Sequence, residues 1–190
     1  KALSEQLNTD TKKKTFWINV YNANIQLLLS DNPELFEDRG KFFSTPRVTI
    51  AGKALSFDDM EHGIIRGSQS KLALGFLPKL FVDSYEKKLR VSKRDGRIHF
   101  ALNCGAKSCP PVAIYKADQL DRQLDESSRR YLNETTTFEA AENKAYVTAL
   151  FSWFRGDFGG LDGAKEDYLK KYDAIPPDSN PTLSFKDYDW

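Results

Sequence analysis

The chain has 190 residues, with 28 basic against 27 acidic side chains, a net charge of +1 and two cysteines. That balance excludes a long-range field that would draw nucleic acid or anionic lipid, and two cysteines allow one bridge but no disulfide framework. No window reaches the ~18 consecutive apolar residues of a membrane span.

Domains run to roughly 100–200 residues, so one domain over residues 1–190 is expected, and thirteen Phe, eight Tyr and three Trp supply its core. No signal peptide is visible. Because the chain opens on Lys1 without Met, a trimmed start is expected.

From the N-terminus, Ser4 to Leu29 reads as one helix, with Phe16, Val20, Ala23 and Leu27 as its apolar stripe. Asp31-Asn32-Pro33 stops it. Glu34 to Ser44 is an aromatic turn or short helix, and residues 47 to 55 suggest a short hairpin about Gly52. Ser56 and Asp59 have the spacing of a capping box that opens a helix carrying Glu61, His62 and Arg66. Arg97 to Cys104 reads as a strand between Asp95-Gly96 and Gly105.

Ala117 to Leu132 is the clearest helix, with Leu120, Leu124, Ser128 and Tyr131 on one face and Asp118 as its cap. A hairpin about Glu142-Asn143, a short aromatic helix ended by Gly159-Gly160, a helix over 164–172 and a final strand over 182–188 complete the chain. The class is α+β, with helices on a small, mostly antiparallel sheet.

Chemistry centres on Cys104. Cysteine attacks as a thiolate, favoured by a nearby imidazolium, a cation or backbone N–H groups. Gly105 lets the backbone approach a substrate as an oxyanion site requires, and Lys107 adds a positive charge. A small core cysteine is the competing reading.

His62 and His99 are the two imidazoles. Strand alternation would turn His99 away from Cys104 unless a bulge intervenes. His62, on another element and beside Glu61, is either a partner that reaches across or a helix histidine bonded locally to a carboxylate. Asn19, Asn22 and Gln26 form a polar row in an apolar helix, able to orient an imidazole, donate to an oxyanion, or bond to a neighbouring loop. His62, His99, Cys104 and Cys109 make a notional zinc set, and Cys104 with Cys109 a short-loop disulfide.

Three blocks carry a family resemblance: Phe16-Trp17-Ile18-Asn19-Val20-Tyr21-Asn22, Glu61-His62-Gly63-Ile64-Ile65-Arg66, and Arg97 through Asn103-Cys104-Gly105 to Pro111. With Trp153 to Gly159 and Tyr188-Asp189-Trp190, they resemble the family catalogued as domain of unknown function 547. The resemblance implies distant kinship with papain-like and transglutaminase-like cysteine hydrolases, with element order rearranged, since His62 precedes Cys104. It places the family's cysteine on Cys104 and its Glu-His pair on Glu61 and His62. It also lowers the zinc and disulfide readings, because related chains replace Cys109, and it suggests an envelope or extracellular location, as in bacterial members.

The resulting expectation is a cysteine-dependent hydrolase or acyl transferase on an unidentified peptide or amide substrate, with no cofactor and no metal. Cys104 is the nucleophile, His62 the base and Glu61 its orienter. Asn19, Asn22, Asn103 and Gly105 serve the oxyanion or hold the imidazole, and Trp17, Tyr21, Arg66 and His99 contact substrate. A non-catalytic binding module is the alternative, and a zinc-stabilised module the third.

Overall fold

The computed structural model describes residues 2–72 and 74–190. Helix α1 (Leu3–Gln6) is followed by a break and α2 (Asp10–Asp31). The single helix expected from Ser4 is therefore two, because the Thr9 side chain accepts the Lys12 N–H and starts a new helix. The buried face of α2 is Trp17, Ile18, Tyr21, Asn22 and Ile25, while Leu27 lies 60% exposed. Apolar residues occur all round this helix, so spacing alone selected the wrong stripe.

A 3₁₀ turn (Pro33–Phe36), α3 (Arg39–Ser44) and the hairpin of β1 (Val48–Ile50) with β2 (Lys53–Leu55) follow as expected. The capping box forms in both directions: the Asp59 N–H donates to Ser56 Oγ at 3.0 Å, and the Ser56 N–H to Asp59 Oδ2 at 3.0 Å. It opens a wide π-type helix, Asp59–Ile65, closed by the Arg66 N–H donating to Glu61 O. Helix α4 spans Ser84–Leu89.

The strand expected over 97–104 is absent. Gly96–Phe100 is a 3₁₀ helix, and the chain then turns. Asp95 ends no strand; it caps this helix by accepting the Arg97 N–H. Ile98, Ala101 and Leu102 recur at helical spacing and enter one hydrophobic cluster with α2, whereas Phe100 enters a second with Tyr131, Phe151 and Phe158. The segment is thus the seam between the two parts of the core.

Helix α5 (Leu120–Thr135) buries Leu120, Leu124, Ser128 and Tyr131 as expected. It starts at Gln119 without a side-chain cap, so the role expected for Asp118 is not made. Strands β3 (Thr137–Glu139) and β4 (Lys144–Val147) pair antiparallel, with Asn143 left-handed at φ 45°. Then come α6 (Leu150–Trp153), a 3₁₀ turn (Arg155–Phe158), α7 (Gly160–Gly163) and a π-type helix (Ala164–Lys170). Strand β5 (Thr182–Phe185) pairs parallel with β4, so the three-stranded sheet is mixed. The class is α+β, and among the described residues no helix is long and apolar enough to cross a membrane.

Candidate functional site

Three polar side chains on α2 fasten the Cys104 loop. Asn19 grips the Tyr115 backbone, donating to its carbonyl at 2.8 Å and accepting its N–H at 2.9 Å. Asn22 donates to Ala101 O at 2.9 Å and accepts the Asn103 N–H at 2.8 Å. Gln26 donates to Asn103 Oδ1, which also accepts the Gly105 N–H at 3.0 Å. Asn19 and Asn22 therefore bond to neighbouring backbone, the plainer of the roles open to the row, and Gln26 to the Asn103 side chain. Replacing Asn22 by Leu leaves two backbone groups unpaired beside the sulfur, and each such loss costs about 1–3 kcal/mol. A urea titration should show that loss; an unchanged midpoint would mean that the clamp contributes nothing.

Three amides beside the sulfur are engaged. The N–H of Asn103 goes to Asn22, that of Cys104 to Cys109 Sγ at 3.0 Å, and that of Gly105 to Asn103. The Ala106 N–H is the backbone donor of this turn that faces the two sulfurs. Gly105 has φ 92°, so glycine is favoured by backbone geometry, while a Cβ there would meet the movable end of the Leu29 side chain. Lys107 is exposed and faces Asp189 at 3.3 Å, so the cation expected to act on Cys104 is spent elsewhere.

Cys104 lines a cavity of about 150 Å³. Tyr21, Glu61, His62 and His99 share that cavity with it. Its apolar walls are Phe43, Leu102, Leu150, Trp153, Phe154, Tyr188 and Trp190, with Asp58 and Lys71 as the remaining polar residues. Trp17 lies in the core and Arg66 behind His62; neither is among the walls, nor are Asn19, Asn22, Asn103 and Gly105. The C-terminal residues belong to this wall because Ser108 and Asp189 exchange hydrogen bonds at 2.8 and 3.0 Å, and Trp190 stacks on Trp153.

The carboxylates are distributed differently from the expectation. Glu61 accepts from the Tyr21 hydroxyl at 3.1 Å and makes no hydrogen bond to His62. The His62 Nδ1 instead receives Arg66 Nη1 at 2.7 Å, the two being one turn apart. Arginine is only a donor, so Nδ1 is the acceptor and the His62 proton sits on Nε2, which lies 3.6 Å from Asp58. Arg66 in turn donates to both Asp157 oxygens, at 2.5 and 3.1 Å.

Asp157 also meets His99 Nε2 at 2.9 Å. A carboxylate accepts, so His99 carries its proton on Nε2, leaving the Nδ1 lone pair without a hydrogen bond among the described residues. The His99 ring stacks on Phe154 at 3.9 Å. The alternation that would have turned it from Cys104 does not apply, because residues 96–100 are helical.

Burial would raise the Asp157 carboxyl, yet the hydrogen bonds from His99 and Arg66 outweigh it and hold the group well below the usual carboxylate range. Burial lowers His99 more than Asp157 raises it, so its imidazole is neutral at neutral pH. Asp157 escaped the sequence reading, although it stands in the Trp153–Gly159 block. The available signal was Arg66 amid Ile64 and Ile65, since a buried guanidinium demands a carboxylate.

The two sulfurs lie 2.6 Å apart as free thiols. Tyr188 Oη is 3.3 Å from Cys109 and 3.9 Å from Cys104. Coupled thiols lose their protons in two separated steps. The pairing with Cys104, the Cys104 N–H and the Tyr188 hydroxyl lower the Cys109 thiol, whereas its hydrogen bond to Cys109 and then burial push Cys104 up. Among the described residues no three Cys, His, Asp or Glu side chains converge as metal ligands; His62 is committed to Arg66 and His99 to Asp157.

No curated protein and no solved structure matches the chain. A family model described as "Protein of unknown function, DUF547" matches residues 4–132, which takes in Tyr21, Glu61, His62, His99, Cys104 and Cys109 but stops short of Asp157. That match spans more than half of the sequence, and the chain belongs to this family.

Proposed function

We propose that the cavity is the centre of a cysteine-dependent acyl-transfer enzyme, a hydrolase or acyl transferase acting on peptide or amide bonds. The observation carrying this reading is that Cys104, His62 and His99 line one cavity while Asp157 holds His99 by Nε2. Cys104 attacks the carbonyl carbon as its proton passes to His99 Nδ1. Asp157 accepts the Nε2–H throughout and stabilises the imidazolium that forms, and His99 returns the proton to the leaving amine.

His62 is a poor base here, because Arg66 occupies its Nδ1 and Nε2 already carries the proton. Its Nε2–H is instead a donor for the oxyanion, since the N–H groups of Asn103, Cys104 and Gly105 are already paired. The aromatic wall selects the acyl group. A cavity of about 150 Å³ matches one that accepts benzene, so a phenyl-bearing acyl group fits.

The test is covalent trapping. Reduced protein incubated with a p-nitrophenyl ester of phenylacetate should gain one acyl group at Cys104, located by peptide mass, and react faster than with the acetate ester. Adduct at another residue, or equal labelling of Cys104→Ala, would end the proposal. A binding module, the other class of function for this cavity, would retain the phenyl group without any covalent gain.

A further inference from the structure

We propose that Cys104 and Cys109 are a reversible dithiol–disulfide couple, oxidised by low-molecular-weight disulfides, that takes the cavity thiol out of service. Formation of the bond stands on the cysteine geometry alone; its effect on catalysis rests on the acyl-transfer reading.

The two sulfurs are already 2.6 Å apart, and both residues are half-buried, within reach of a small thiol reagent. The intervening turn is set in place by the Cys109 N–H donating to Ala106 O at 3.1 Å and by Asn103 Nδ2 donating to Pro110 O at 2.8 Å. Little backbone freedom remains to be lost on closing the bond. Two neighbouring donors, the Cys104 N–H and the Tyr188 hydroxyl, lie against Cys109 Sγ and favour it as the sulfur that holds negative charge.

Only four residues separate the cysteines. A ring that small removes little chain entropy from the unfolded state, so a bond here serves poorly as a structural staple. Accessible bonds of this kind are the exchangeable ones. Cys104 faces the cavity and Cys109 does not. Oxidation therefore withdraws the one sulfur that a carbonyl in the cavity can meet.

The reaction balances without further reagents. The Cys109 thiolate attacks one sulfur of a disulfide RS–SR, forming a mixed disulfide and expelling RS⁻. Cys104 gives its proton to that thiolate and attacks Cys109 Sγ, expelling the second RS⁻. Two protein sulfurs are oxidised, and one RS–SR is reduced to RSH and RS⁻.

The experiment equilibrates the whole chain against oxidised and reduced glutathione in varied ratio, traps free thiols with N-ethylmaleimide, and reads intact mass. Both alkylation sites should disappear together, with loss of two hydrogens and no retained glutathione, and return with dithiothreitol. Cys109→Ser should instead retain one glutathione on Cys104. Two alkylated thiols at the most oxidising ratio, or a glutathione adduct persisting in the wild type, overturns the couple.

A parallel arm follows acylation by the phenylacetate ester, which should be lost on oxidation and recovered on reduction. Acylation of the reduced protein without disulfide formation overturns the couple and leaves the enzyme reading intact. A disulfide that forms in a protein never acylated at Cys104 supports the couple and overturns the enzyme reading. Unchanged acylation of the oxidised form overturns the gating.

Discussion

His99→Ala should slow acylation of Cys104 by about 10²–10⁴-fold, the range for loss of a positioned general base. The effect is large because Cys104 is a protonated thiol at rest: its partner Cys109 and burial both oppose its ionisation. A preformed thiolate would need no base, but this sulfur must lose its proton as the bond to carbon forms. His99 suits that task, with Asp157 on Nε2 and an imidazole that burial keeps neutral. His62→Ala should cost less, about 10²–10³-fold, the size of losing one oxyanion donor. Stopped-flow release of p-nitrophenol from the single acylation event measures both. Equal, small losses in the two variants would show that neither imidazole has the role assigned to it.

Asp157→Ala should destabilise the fold by about 3–5 kcal/mol, the cost of removing one partner of a buried ion pair. Arg66 is 2% exposed, and Asp157 accepts two of its donors. Cutting the carboxylate leaves that guanidinium charged in a desolvated place, facing the His62 nitrogen and the Phe154 ring but no anion that it now bonds. Replacing both residues, as Arg66→Met with Asp157→Leu, should recover much of the loss, because the stranded charge goes too. Urea unfolding compares the three proteins. A single variant within about 1 kcal/mol of wild type would place the pair with weak surface bridges.

The pH dependence of stability follows from the same residues. Asp157 has a depressed folded-state value, so its contribution is complete above the unfolded carboxyl value of about 3.9 and is lost as acid titrates it. His99 is depressed too, from about 6.5, so the unfolded chain binds its proton first. Both groups make the fold lose stability as pH falls, His99 beginning below about 6.5.

Local rules were legible where one residue decides one turn. Ser56 and Asp59 form the expected box, and Leu120, Leu124 and Tyr131 face inward at the expected spacing. Asp95-Gly96 was ambiguous, since the same pair can bound a strand or cap a helix. The stripe of Ile98, Ala101 and Leu102 distinguishes the two, because it repeats at three and four rather than two. The parallel pairing of β4 with β5 had no local signature, because it joins strands separated by the whole of residues 148–181.

The site divides in the same way. Cys104, His62, Glu61, Tyr21 and His99 were legible as chemistry-bearing residues, and all five line the cavity. Their partners were not legible, because a buried ion pair such as Arg66 with Asp157 links positions 91 residues apart. Glu61 stands next to His62 in sequence, yet successive helix residues do not face each other, and it turns to Tyr21.

The most direct measurement is the pH–rate profile of Cys104 acylation in wild type, His62→Ala and His99→Ala. In wild type and His62→Ala the rate should rise through a midpoint below about 6.5, the ordinary imidazole value, and then level off. In His99→Ala that limb should vanish, leaving a rate that grows only toward or beyond ordinary thiol ionisation near 8.5. The same acid limb in His99→Ala as in wild type would contradict the assignment of His99 as the base, and with it the proposed centre.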